Sequence, residues 1–187
     1  LRDSILPQLD GTRWFIDYSN SDEWSHNFLG GNGDGPYTIQ PIESFWEKQT
    51  WPFNSEVGSV GVGDYESLER FLPEENRIAP QYNAKFREDV DPVWTYHTYS
   101  GVGYENFIEP YGKPKDIRDF AIKAQLVNYD QYRALIEGFS SHMWEWYTGT
   151  IIWKTQNPWT SMRGQMYDYY LDSNASLFGL RKGSEPL

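Results

Sequence analysis

The sequence predicts an α/β fold with parallel strands, forming a portion of a larger repeating arrangement. Three observations carry that expectation. Short apolar runs alternate with helical patterns along the 187 residues, which is how parallel βαβ units read. The alternating units are few, opening on the tail of one helix and stopping after another. No linker-like stretch divides a chain that is about one domain long, so residues 1–187 read as a single unit.

Element by element, residues 1–9 read as the end of a helix closed by Leu9-Asp10-Gly11. Arg13–Tyr18 follows as a short strand, ending in Ser19-Asn20-Ser21-Asp22. Residues 22–36 form a Gly-rich loop that lacks both the Lys-Ser/Thr end of a phosphate loop and the acidic spacing of a calcium loop. Short strands are expected at Tyr37–Gln40 and Trp51–Asn54. A brief helix should span 64–72, and a long polar connection 73–92. Val93-Trp94-Thr95-Tyr96-His97 reads as an aromatic extended segment. From Lys115, apolar positions Ile117, Phe120, Ala124 and Val127 recur at helical spacing, so a helix should run to about Phe139 or on to Trp144. Thr148–Trp153 then reads as a buried strand, and Gly164–Phe178 as a final amphipathic helix.

Composition narrows the chemistry. The chain carries 27 Asp+Glu against 16 Lys+Arg, a net charge of −11, and no basic cluster, which argues against a nucleic-acid partner. Cysteine is absent, so thiolate ligands, disulfides and a Cys nucleophile are excluded. His26, His97 and His142 have no zinc-ligand spacing, and neither metal nor cofactor is expected. No apolar run reaches the roughly 20 residues of a membrane span. The aromatic content of 18% has two readings: an aromatic-rich core, or a cleft whose Trp and Tyr faces match the apolar C–H faces of sugars.

Two strand ends stand out. Trp51-Pro-Phe-Asn-Ser-Glu56-Val-Gly-Ser-Val60 is an apolar run ending at one carboxylate, with Gly58, Gly61 and Gly63 close behind. Glycines there allow a sharp turn and close backbone approach, although a lone Glu before Gly is also an ordinary capping residue. The other strand end runs Trp153-Lys154-Thr155-Gln156-Asn157-Pro158-Trp159. In a TIM (β/α)8 barrel, functional groups gather at the C-terminal strand ends. Consecutive strands would then set Glu56 beside Trp153, a carboxylate beside an indole floor for a sugar ring.

The segments Phe53-Asn-Ser-Glu56-Val-Gly-Ser-Val-Gly61, Val93–His97, Lys123–Tyr129, Gln131–Leu135 and Gly149–Trp159, with Arg163–Asp168 near the end, resemble glycoside hydrolase family 2. Within it the likeness is nearest to endo-β-mannosidases and exo-β-glucosaminidases, and it runs almost end to end, weakest across 73–92. The resemblance implies the C-terminal half of a catalytic (β/α)8 barrel, about strands 5–8, and a retaining double displacement. It matches Glu56 to the nucleophile and Trp153 to the indole that floors the sugar subsite. Tyr37 is the candidate for the tyrosine that hydrogen-bonds the nucleophile, although packing is an equal reading. Trp94 and His97 are candidates to line the cleft, and Asn157 and Trp159 to contact the leaving-group side.

The family's acid/base is a Glu after Asn, and this chain contains no Asn-Glu dipeptide. Its Glu74-Glu75 pair lies in a Pro-flanked loop and is expected to be solvated. The resemblance therefore implies a complementary half-barrel, in another chain or elsewhere in a parent polypeptide, without which this piece would be inactive. β-Mannosides such as mannosyl-β-1,4-GlcNAc are the leading substrates. Chitosan-type glucosaminides come second, with Asp17 or Asp22 able to meet the amine, and a sugar-binding or assembly fragment without catalysis is the alternative of another class. An extracellular, periplasmic, vacuolar or lysosomal setting is favoured over a cytoplasmic one. Asn174-Ala-Ser176 is a glycosylation sequon, a weak pointer to secretion on a predicted helix.

Overall fold

A computed structural model describes residues 3–12, 32–35, 37–47, 53–59, 61–80, 91–99, 104–145 and 147–186. Its sheet has three strands: β1 (Asn32–Asp34), β2 (Phe53–Val57) and β3 (Gly149–Ile152), in the order β1-β2-β3. Both pairings are parallel. Parallel neighbours need crossover connections, and helices supply them. The helices are α1 (Ile5–Leu9), α2 (Ile42–Glu47), α3 (Tyr65–Glu69), α4 (Pro92–Tyr96), α5 (Tyr104–Ile108), α6 (Ile117–Ser140) and α7 (Ala175–Gly183). The α/β expectation with parallel strands is therefore met. The expected strand at Arg13–Tyr18, with Asp17 and Asp22, lies outside the described residues.

Helix α6 organises the molecule. Asp116 caps its N-terminus, its carboxylate accepting the Asp119 N–H at 2.8 Å. The N-terminal half packs Ile117, Phe120, Ala121, Ala124 and Val127 into a core with Val62, Leu68, Leu72, Trp94, Tyr104 and Ile108. The C-terminal half places Ala134, Leu135 and Phe139 in a second cluster with Phe45, Val57 and Tyr147. Neighbouring helices sit close against it at glycines. A Cβ on Gly138 would lie 2.1 Å from the Phe45 carbonyl oxygen of α2, and one on Gly179 would lie 2.2 Å from that of Tyr129. No side chain fits in either gap.

Several expectations need correction. Tyr37–Gln40 is not a strand; the chain pairs with β2 earlier, at Asn32–Asp34, and Gly35 at φ +73° turns it away. Val93–His97 is not extended. Asp91 accepts the Val93 and Trp94 N–H groups, and Pro92 opens a helical turn, so the aromatic run folds as α4. The last helix begins at Ala175, not Gly164. Residues before it are irregular because Gly164 and Leu171 have φ of +62° and +70°, and because Asp168 Oδ1 accepts the Tyr170 and Asp172 N–H groups in a local turn. Strand β3 is not fully buried: Ile151 is 57% exposed, since it lies on an edge of the described sheet.

The sequon also changes meaning. Asn174 is 3% exposed and is the N-cap of α7. Its Oδ1 accepts from Ser176 N, Ser176 Oγ and Asn128 Nδ2, and its own Nδ2 donates to the Val62 carbonyl. A fully engaged, buried amide is no glycan acceptor in the folded protein. Among the described residues, no helix is long and apolar enough to cross a membrane.

Candidate active site

Strand β2 is partly apolar because Val57 faces the lower core, and its alternate positions leave Glu56 half-buried at the sheet's rim. The local backbone is fixed from both sides. Asn54 Oδ1 accepts the Glu56 N–H at 3.0 Å, while Asn54 Nδ2 donates to the Gly35 carbonyl at 2.8 Å. Gly35 N–H in turn donates to the Glu56 carbonyl at 2.6 Å. This bridging between β1 and β2 brings Tyr37 over the strand end. The Tyr37 hydroxyl donates to Glu56 Oε1 at 2.7 Å, a charge-assisted geometry for an ionised carboxylate.

Trp153 arrives on the adjoining strand. Its N–H donates to the Val57 carbonyl at 2.8 Å, extending the β2–β3 ladder by one residue. The close approach depends on Gly58, where a Cβ would stand 1.9 Å from the Trp153 carbonyl oxygen. The Trp153 side chain is 50% exposed, and the peptide bond to Lys154 is cis. Tyr37, Glu56, Ser59, Trp153, Lys154, Arg163 and Gly164 together line a cavity of about 350 Å³.

The segment 154–164 folds back on itself as one wall of that cavity. Lys154 N–H donates to the Gly164 carbonyl at 3.0 Å. Asn157, buried, donates its amide to the Arg163 carbonyl at 2.9 Å and to Gln165 Oε1 at 2.7 Å, and Gln165 Nε2 reaches the Gly61 carbonyl at 2.8 Å. Lys154 and Arg163 thus meet at the cavity although nine positions separate them in sequence. The Lys154 ammonium is pushed below the ordinary lysine value, chiefly by burial and further by the Arg163 charge.

The structure brings Glu56, Tyr37 and Trp153 together and sends the other candidates elsewhere. Trp94 lies in the core, 1% exposed, its indole N–H donating to the Asn76 carbonyl at 2.8 Å. Its ring meets Tyr99 and Phe120 edge-on, so it does not line the cleft. His97 is buried beneath Trp159, its ring stacked at 5.9 Å and its Nδ1 lying 2.6 Å from the Thr160 carbonyl oxygen. Burial pushes its imidazole below the usual histidine value. Trp159 and the exposed Tyr96 pack edge to face at 5.3 Å on the outer side of this loop. Asn157 braces the loop from inside. Sequence reading missed Ser59, Lys154, Arg163 and Gly164 as cavity residues, because their wall depends on a loop closure with no periodic signature. Among the described residues, no group of three or more His, Cys, Asp or Glu side chains could hold a metal ion.

Comparison with known proteins now adds to the geometry. No protein-family model matches the chain. It is 44% identical over 192 aligned residues to mannosylglycoprotein endo-β-mannosidase of Lilium longiflorum, an alignment covering 96% of this chain and 20% of that protein. The chain is thus similar to part of larger glycosidases, and its structural neighbours are glycoside hydrolase family 2 enzymes. An exo-β-D-glucosaminidase of Amycolatopsis orientalis is 29% identical over 177 residues, covering 82% of this chain and 16% of the relative. Among solved structures, the β-D-mannosidase of Dictyoglomus thermophilum superposes with a TM-score of 0.71 over 96% of this chain and 22% of its own, at 18% identity. That likeness speaks for the fold. The chain spans about a fifth of the length of the curated relatives it matches.

Proposed function

We propose that this chain supplies the nucleophile side of a retaining glycosidase site that hydrolyses β-mannosides such as mannosyl-β-1,4-GlcNAc units. The observation that carries the reading is the 2.7 Å hydrogen bond from Tyr37 to Glu56 in a cavity that Trp153 also lines. Glu56 attacks the anomeric carbon while the glycosidic oxygen leaves with a proton, giving a glycosyl ester. Water then opens the ester, returning the carboxylate. Tyr37 aims one oxygen of Glu56 and leaves the other for attack. Trp153, half-exposed, offers its face to the apolar side of the sugar.

On this reading the proton donor comes from outside this chain. Glu74 and Glu75 are solvent-exposed and do not line the cavity. A retaining pair needs its two carboxyls about 5–5.5 Å apart, so the partner glutamate belongs to a complementary half-barrel. On this reading residues 1–187 form about strands 5–8 of a (β/α)8 barrel, and the isolated chain is inactive. The exo-β-glucosaminidase relative supports a second reading, in which the substrate is a chitosan-type glucosaminide.

The experiment is Glu56→Gln in the complete enzyme that contains this chain. The expected result is loss of turnover by several powers of ten on β-mannosides, with partial rescue of Glu56→Ala by azide. Near-normal turnover of Glu56→Gln refutes the nucleophile role and favours a sugar-binding or assembly fragment.

A further inference from the structure

Two cations face the sugar cavity beside its one carboxylate. Lys154 and Arg163 both line it, with Glu56 and Tyr37 as the other ionisable groups there. Neither cation forms an ion pair among the described residues. Their proximity is imposed by the backbone: the Lys154–Gly164 and Asn157–Arg163 hydrogen bonds fix both ends of the loop that carries them. Like charges held together repel: the Lys154 value is lowered chiefly by burial and further by the Arg163 charge. Arg163 is exposed and Lys154 half-buried with its ammonium over the Trp153 ring at 5.5 Å, so water and the indole offset part of that repulsion, while Glu56 is already engaged by Tyr37 on one oxygen.

For a sugar in this cavity the consequence is a charge preference. A neutral hydroxyl at C2 is tolerated, and both cations can donate hydrogen bonds to it, since ammonium and guanidinium are donors only. An ammonium at the same position meets two like charges, one half-buried and one exposed. We infer that Lys154 and Arg163 are specificity-determining residues that make this site reject cationic amino sugars in favour of neutral ones. The inference rests on the glycosidase reading given above, and it separates the two substrate classes that the relatives leave open.

The test uses the active enzyme containing this chain and a matched pair of substrates, p-nitrophenyl β-mannoside and its 2-amino-2-deoxy counterpart, which differ only in hydroxyl against ammonium. Removing one nearby charge should shift the ratio of their kcat/KM values toward the amino sugar by roughly tenfold, and Lys154→Met with Arg163→Met together by up to about a hundredfold. Lys154→Arg should preserve the wild-type ratio. The gap between wild type and double variant should also close as pH rises and the substrate amine becomes neutral. A ratio unchanged within about twofold in folded variants that still cleave the mannoside overturns the inference. So does loss of mannoside cleavage without any shift in the ratio, which would make the cations structural. Should the wild type cleave neither substrate, the glycosidase reading fails separately, and calorimetric binding of the two methyl glycosides to wild type and variants then reads the charge preference directly; equal binding overturns it.

Discussion

Replacing Tyr37 by Phe removes one oxygen and leaves the ring, so it isolates the hydrogen bond to Glu56. That bond is 2.7 Å long and part-buried. A hydrogen bond to a charged group contributes about 1.5–3 kcal/mol. On the proposed double displacement, with Glu56 as nucleophile, its effect on the two chemical steps differs in sign and size. During attack the carboxylate loses charge, so Tyr37 holds the reactant state and gains little for the transition state beyond orientation. During hydrolysis of the ester the carboxylate regains charge, and Tyr37 stabilises the departing oxygen. With about half the charge returned at that transition state, the loss is about 0.8–1.5 kcal/mol, or roughly fourfold to thirteenfold in deglycosylation. Presteady-state assays of the complete enzyme on an activated aryl β-mannoside should therefore show a larger burst, with kcat and KM falling together. A variant whose kcat is unchanged, or whose KM rises while no ester accumulates, refutes this account and leaves Tyr37 as a packing residue.

The other predictions concern what holds the site. Gly58→Ala drives a Cβ to 1.9 Å from the Trp153 carbonyl oxygen; a backbone atom cannot swing aside, so a loss of about 1–3 kcal/mol is expected, read as a lower melting temperature together with a raised KM. An unchanged KM would mean that Trp153 does not carry sugar. Asn174→Ala should cost about 2 kcal/mol or more by chemical denaturation, since it removes the α7 cap and strands buried partners of Ser176 and Val62. Protein produced in a glycosylating host should carry no glycan at Asn174 by intact-mass measurement. His97 gives a pH dependence. Its folded value lies below the ordinary 6.5 because burial disfavours the imidazolium. Above pH 6.5 both states are neutral there and stability is at its reference level. As pH falls below 6.5 the unfolded chain takes up the proton first, so stability declines until the folded value is passed. Melting curves of His97→Gln should lack that decline relative to wild type.

How much of this was legible depends on which force sets each element. Helix α6 was readable because its periodic apolar face, Ile117, Phe120, Ala124 and Val127, acts locally. The pairing of the Glu56 and Trp153 strand ends was readable from β-strand pattern plus the position rule for parallel folds. Misreadings arose where a local signal had a rival. Tyr37–Gln40 alternates like a strand, yet Gly35 ends the pairing before it, and Gln40 is instead held by Gln131 through both its backbone groups at 3.0 and 2.8 Å. Val93–His97 is aromatic and β-branched, but Asp91-Pro92 is a strong helix start and wins over five residues. Trp94 was a cleft candidate through the family resemblance; its indole N–H donates to the Asn76 carbonyl and the residue is 1% exposed, which makes it a core residue. The Lys154–Arg163 wall had no sequence signal because it is closed by side-chain bonds from Asn157.

The same logic explains how a site can be well ordered at the edge of a three-stranded sheet. The loop after β2 is held by a polar row on α6, not by a further strand. Gln125, Asn128 and Gln131 recur at spacing three, on the face that otherwise buries Ala124 and Val127. Gln125 and Asn128 both donate to the Val62 carbonyl, at 2.6 and 2.9 Å. The Tyr104 hydroxyl takes the Val62 N–H at 3.1 Å and donates to Asn128 Oδ1 at 2.5 Å. Tyr132, fully buried with its phenol pushed up to about 12, accepts the Ser59 N–H at 3.2 Å. Burial is the main cause of that rise and keeps the phenol neutral. Backbone groups of the loop that would otherwise need a neighbouring strand are thereby satisfied from beneath. The cavity side of the loop is left with Glu56, Ser59 and the facing Lys154 and Arg163, while Ile151 is exposed on β3 at an edge of the described sheet. On the proposed reading, a complementary half-barrel would add the proton donor to a Glu56 side of the site that this network holds in place.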